Sequence, residues 1–221
     1  MSAALNGVSA LLALICFIFY MIATVGYSNE KTTIINVNWF HSYGTGSYEN
    51  HNVFVGLRRL VTQLPGQDTT SLAYASCGMD DDDDNNYCNV CAREGDSAFG
   101  LMALSTILSF IVVGLSVAGI ASPSAVMSGA NVVIAMLATL FGVIGWGLFV
   151  YKCFDKIVEM YPRDMDYGPG AIMSLIAFML MFIVMILQIV AAILAAQSAA
   201  PSSTPAPAPV ATQEPEATAE L

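Results

Sequence analysis

The chain has 221 residues, 56% of them hydrophobic and 11% charged, with a formal net charge of −10. Soluble domains carry about 25% charged residues, whereas this chain has none in its first 29 residues and none in 97–151. This excludes a water-soluble fold, and seven Lys and Arg with no cluster beyond Arg58-Arg59 exclude a phosphate-binding surface for nucleic acid.

After a short N-terminus, 1–4, the first apolar span covers 5–27. It is long enough to cross about 30 Å of hydrocarbon at about 1.5 Å per residue. Residues 1–10 lack the positive charge that opens a cleaved signal peptide, so the span is expected to remain as a helix. The second span covers 98–120 and the third 125–151. The connection 121–124, containing Ser122-Pro123-Ser124, is short enough to force an antiparallel hairpin. The fourth span, 170–196, follows a polar loop, 152–169, that ends in the turn signal Tyr167-Gly168-Pro169-Gly170. The tail, 197–221, is Ala, Pro, Ser, Thr and Glu. It cannot bury enough apolar surface to fold, and disorder is expected.

Within the spans, Gly114 and Ala118 are four apart, as are Ala138 and Gly142. Such pairs let helices approach closely in lipid, and packing within one bundle is expected, with self-association as the other use. No Asp, Glu, Lys, Arg or His lies inside a span. Pumps and coupled transporters need such groups along their path, so transport by the bundle alone is not expected. Asn131 and Gln188, the most polar side chains there, are expected to hydrogen-bond between helices.

The loop 28–97 is the only long polar segment among the spans. In Lys-Thr-Thr-Ile-Ile-Asn-Val-Asn-Trp, 31–39, Ile35, Val37 and Trp39 alternate onto one face, which predicts a strand. A second strand is expected around Asn52, Val53, Phe54 and Val55, and a third within 69–77. Turns are expected in 42–47 and at Pro65-Gly66. A small sheet resting on the bundle follows.

The loop holds Cys77, Cys88 and Cys91, and Cys153 lies just past the third span. A four-span chain puts both larger loops on one side. Four thiols there suit two disulfides in an oxidising compartment. The rival is a metal site built on Cys88, Cys91 and Cys77. A single Cys-x-x-Cys without a histidine pair is too little for zinc, so no metal and no cofactor is expected. The run Asp80, Asp81, Asp82, Asp83 and Asp84 invites calcium, but it lacks the glycine and closing glutamate of a calcium loop and reads as a solvated acidic tip. His41 and His51 read as surface residues. No nucleophile–base set and no phosphate loop is present, so no enzymatic activity is expected.

All seven Lys and Arg lie in the two larger loops. The positive-inside rule would make those loops cytoplasmic, while the cysteines point the other way.

Trp39 early in the large loop, Gly56-Leu57 after it, Arg93 ahead of the second span and Tyr167-Gly168 ahead of the fourth together carry a resemblance. With four spans and a tight second connection, the chain resembles the claudin and peripheral-myelin-protein superfamily. Fungal cortical-patch tetraspans and amastins share the plan. It departs from claudins where Arg58 stands in place of a tryptophan, and in the aspartate run. The resemblance implies a membrane four-helix bundle with both termini cytoplasmic, at the plasma membrane. It also implies an antiparallel sheet of about five strands formed by the large extracellular loop and stapled by a disulfide, with Cys77 and either Cys88 or Cys91 as the pair. The implied role is structural, adhesive or membrane-organising. Partners would be the lipid bilayer and lateral copies or other membrane proteins, with no small-molecule substrate. One alternative is a channel or auxiliary subunit whose acidic loop tunes cation passage. The other is the inverted topology, with a cytosolic Cys and Asp metal-binding loop.

Overall fold

The structure, a computed structural model, describes residues 2–43, 52–64, 66–77, 87–122, 124–160 and 165–199. In chain order its elements are α1 (Ser2–Val25), α2 (Lys31–Asn36), β1 (Phe40–Ser42), β2 (Asn52–Val55), β3 (Arg59–Gln63), β4 (Thr70–Ala73), α3 (Tyr74–Cys77), α4 (Tyr87–Ala121) and α5 (Ala125–Leu148). A π-helical turn (Phe149–Phe154), α6 (Asp155–Met160), β5 (Asp166–Tyr167) and α7 (Pro169–Ala199) complete it.

Helices α1, α4, α5 and α7 are each long and apolar enough to span a bilayer. Each packs against two others, in the cyclic order α1, α4, α5, α7. The chain is therefore an integral membrane four-helix bundle. Its sides are reversed relative to a soluble protein. Leu11, Ile18, Leu104, Ile107, Leu140, Ile186 and Ile193 face outward. Ala13, Cys16, Ser105, Ser109, Ala138 and Ala177 face inward and are fully buried. Lipid supplies no hydrophobic drive between helices, so contact area comes from close backbone approach over small residues. The two small-residue pairs divide accordingly. Ala138 and Gly142 line the interior, and a Cβ on Gly142 would collide with the Tyr20 hydroxyl. Gly114 and Ala118 are exposed on the outer face of α4, and a Cβ on Gly114 would meet nothing. The expectation of intramolecular packing thus holds for the first pair and not for the second.

Helix α4 has 35 residues, about 52 Å at the usual rise, so about 20 Å of it extends beyond the hydrocarbon. Its first turns, Tyr87 to Ser97, belong to a helix and not to the polar loop in which the sequence placed them. Hydropathy marks where a helix leaves lipid; it does not mark where the helix ends. The same holds for α5, which continues through the π-helical turn and α6 into the stretch 152–169 expected as loop. The two extensions form a stalk.

The sheet leans on this stalk. Its five strands are antiparallel in the order β4-β3-β2-β1-β5. Four come from the large loop. The fifth is Asp166–Tyr167, from the second loop, paired with Phe40 and His41 of β1. On the inner face Phe40, Val55 and Leu60 join the bundle core. On the outer face Phe54 and Val61 are covered by Ile34 of α2.

That helix is a correction. Residues 31–36 are helical, and the strand expected over 31–39 is displaced to Phe40–Ser42. A β-branched run prefers a pleated surface, but only because such surfaces bury it. Here a six-residue helix buries Ile34 just as completely. The strand expected in 69–77 ends at Ala73 and gives way to α3, and Arg59–Gln63 is a separate strand not foreseen.

Candidate functional site: the sheet and its seat on the bundle

Trp39 is fully buried at the point where the sheet meets the membrane helices. Its indole Nε1 donates to the Ala23 carbonyl near the end of α1 (3.2 Å), and its backbone N–H donates to Val55 in β2 (2.7 Å). Gly168 N–H donates to the Trp39 carbonyl (2.8 Å) and Gly170 N–H to that of Asn38 (2.9 Å), so the start of α7 closes over the same residue. The indole fits because Gly26 and Gly170 lack side chains: a Cβ at either would stand 2.9 or 2.8 Å from its Cδ1. Phe149 meets the indole edge-on at 5.2 Å. One residue thus joins α1, β2, the π-helical turn and α7.

Gly56 and Leu57 make the tight β2–β3 turn, closed by Gly56 N–H to Arg59 O (2.8 Å). Leu57 N–H donates to Gly26 O (2.9 Å), which caps a carbonyl at the end of α1. Tyr74 of α3 donates its hydroxyl to Gly56 O (3.2 Å). Across this turn Gly95 of α4 presses its bare Cα on the Leu57 carbonyl; a Cβ there would overlap it. Arg58 lies over the Tyr27 ring at 5.2 Å, and Tyr27 stacks on Phe99 at 4.1 Å. Tyr27 also donates its hydroxyl to Asp96 (2.7 Å), and this bond, with some burial, pushes the phenol above its ordinary range.

Cys91 of α4 is bonded to Cys153 of the π-helical turn, and both are fully buried. Cys88 is disulfide-bonded as well, and Cys16 is a buried free thiol. The expected alternative that pairs Cys91 with Cys77 is therefore overturned: α4 carries Cys91 along the stalk to face α5's extension. The Cys77 side chain lies outside the described residues, as do Asp80, Asp81, Asp82, Asp83 and Asp84. Arg93 lies within α4, with an exposed side chain that pairs with its buried neighbour Glu94 at 3.1 Å.

The far end of the bundle has a second polar constellation. Asn6 of α1 donates to the Gly119 carbonyl of α4 (2.9 Å), and Gln188 of α7 donates to Asn6 Oδ1 (3.2 Å). Asn131 of α5 donates to Ser116 of α4 (2.8 Å), which Gln188 also approaches (3.4 Å). Asn131 and Gln188 do link helices as expected. Asn6 was not foreseen, because it sits only a turn inside the chain start, where polar residues are common.

No family model matches the chain, and no curated protein matches it.

Proposed function

We propose that this is a claudin-like tetraspan of the plasma membrane that organises membrane contacts through its sheet, with both termini cytoplasmic and both larger loops outside. The single observation that carries this is the seat of the sheet. Trp39 and the Gly56-Leu57 turn fasten the sheet to the bundle, and the Cys91–Cys153 bond locks together the two helix extensions on which it leans. A presented, rigid surface suits lateral or facing contacts with other membrane proteins, because little ordering entropy is left to lose on binding. Disulfides belong to oxidising compartments, which favours the exterior for that end. The described interior of the membrane-spanning bundle is lined by neutral side chains, which suits a scaffold better than a pump.

Thiol labelling of intact cells with an impermeant reagent tests the topology. Cys88, Cys91 and Cys153 should label only after reduction, without permeabilisation. Labelling that needs permeabilisation but no reduction would refute the arrangement. For the role, Trp39→Ala should abolish lateral clustering of the tagged protein at cell contacts. A conductance in bilayers that depends on Asp80–Asp84 would replace the scaffold by a cation channel.

A further inference from the structure

The polar node at the far end contains more acceptors than the protein fills. Asn6, Ser116, Asn131 and Gln188 are at least 98% buried, as is Ser9, one turn along α1 from Asn6. Within the node, Gln188 Oε1 and Asn131 Oδ1 have no hydrogen-bond partner; Ser9 Oγ, outside the bonded set, has none either.

Reversing the amides does not remove the deficit. The Gly119 carbonyl can only accept, so it holds Asn6 with Nδ2 toward it and Oδ1 away. Asn6 Oδ1 in turn can only accept, so Gln188 must present Nε2 to it. Gln188 Oε1 is therefore left over by a chain of bonds anchored on the backbone. Asn131 can be reversed to accept from the Ser116 hydroxyl, but then its Nδ2 is the unmet group. Asn131 and Gln188 share Ser116 Oγ, so their unmet atoms belong to neighbouring amides. A bare amide oxygen surrounded by hydrocarbon is costly, and a buried water is held where two to four polar groups converge.

We propose that the node is a hydration site that takes up water. The water donates to Gln188 Oε1 and to Asn131 Oδ1, and ties α7 to α5, the one neighbouring pair the direct bonds leave unlinked at this level. A sodium ion fits less well. The amide N–H groups already converge on Ser116 Oγ and Asn6 Oδ1, and no described carboxylate in the node offsets a charge. The site stands independently of which side of the membrane the sheet faces.

The test is water-edited NMR on the full chain in lipid nanodiscs, with ¹⁵N-labelled Asn and Gln. The Gln188 side-chain amide is identified by its disappearance in Gln188→Met. It is identified also in the unmutated chain, by its shielding from a soluble relaxation agent. It should receive magnetisation from water while its exchange with bulk deuterium is slow. Ser9→Ala should keep that transfer. A shielded Gln188 amide with no transfer from water overturns the proposal. So does a resonance that moves with sodium and not with potassium while no water transfer is seen, which would make the occupant a cation.

Discussion

The two ends of the bundle are fastened by different chemistry. At the sheet end, backbone groups and aromatic rings do the joining, and glycines let them approach. Ala23, Gly26, Asn38 and Gly56 each offer a carbonyl that Trp39, Leu57, Gly170 or Tyr74 fills. At the far end, four helices are joined by side-chain amides, and some of those amides have unmet atoms. The difference follows from solvent. Near the bilayer surface, water competes for polar groups, so burial under rings holds the joint. At the far end the packed helices themselves exclude water, so amides on α1, α5 and α7, meeting a hydroxyl and a carbonyl of α4, are enough to set register.

Trp39→Ala tests the sheet end most severely. It removes a fully buried indole from a site walled by backbone, and should cost about 3–5 kcal/mol. Thermal unfolding in detergent and protease cleavage within 28–86 would both report it, while the helical far-end contacts persist. Replacing both Cys91 and Cys153 by serine releases a closure between residues 62 apart. The expected loss is about 2–5 kcal/mol, toward the low end because inserted helices already restrict the unfolded chain. Non-reducing calorimetry against the reduced parent checks it.

At the far end, Gln188→Ala should cost less, about 0.6–2 kcal/mol per interhelical bond removed. A double-mutant cycle with Asn6→Ala should show coupling of the same size; additive effects would mean that the amides do not act together. The smallest effect concerns Tyr27. Its phenol is raised chiefly by the bond to Asp96, so the folded state favours the protonated form. This contribution is complete below the ordinary phenol pKa of about 10 and is lost as pH rises through the higher folded value. Tyr27→Phe should lower stability slightly across the neutral range, where the bond is intact, and flatten the alkaline limb of a stability-versus-pH profile.

Much of the bundle is legible from hydropathy because lipid imposes it. The tight hairpin, the strand at Asn52–Val55 and the interhelical roles of Asn131 and Gln188 follow from local patterns. Pro169 is also legible as a helix start, since a proline at the first helical position gives up no hydrogen bond. What escapes is decided by partners far away. Residues 31–36 turn helical because Phe54 and Val61 need a cover. Tyr167 becomes a strand residue only because Phe40 is beside it. The seat was half visible. Trp39 and Gly56-Leu57 stood out as residues, but Gly95, Gly168 and Gly170 matter for what their missing side chains admit, which no local pattern announces.

The π-helical turn at Phe149–Phe154 decides which residues the stalk turns inward. The inward stripe of α5 passes through Ala138, Gly142, Gly145 and Phe149. At about 3.6 residues per turn, an uninterrupted helix would carry that stripe onto Lys152 and Lys156. The wider turn delays it by one position, so that Cys153 and Ile157 arrive instead. One added residue of phase therefore excludes two ammonium groups from the protein interior and delivers a sulfur to Cys91. Deleting a single residue from this turn would exchange a covalent bond for two buried charges.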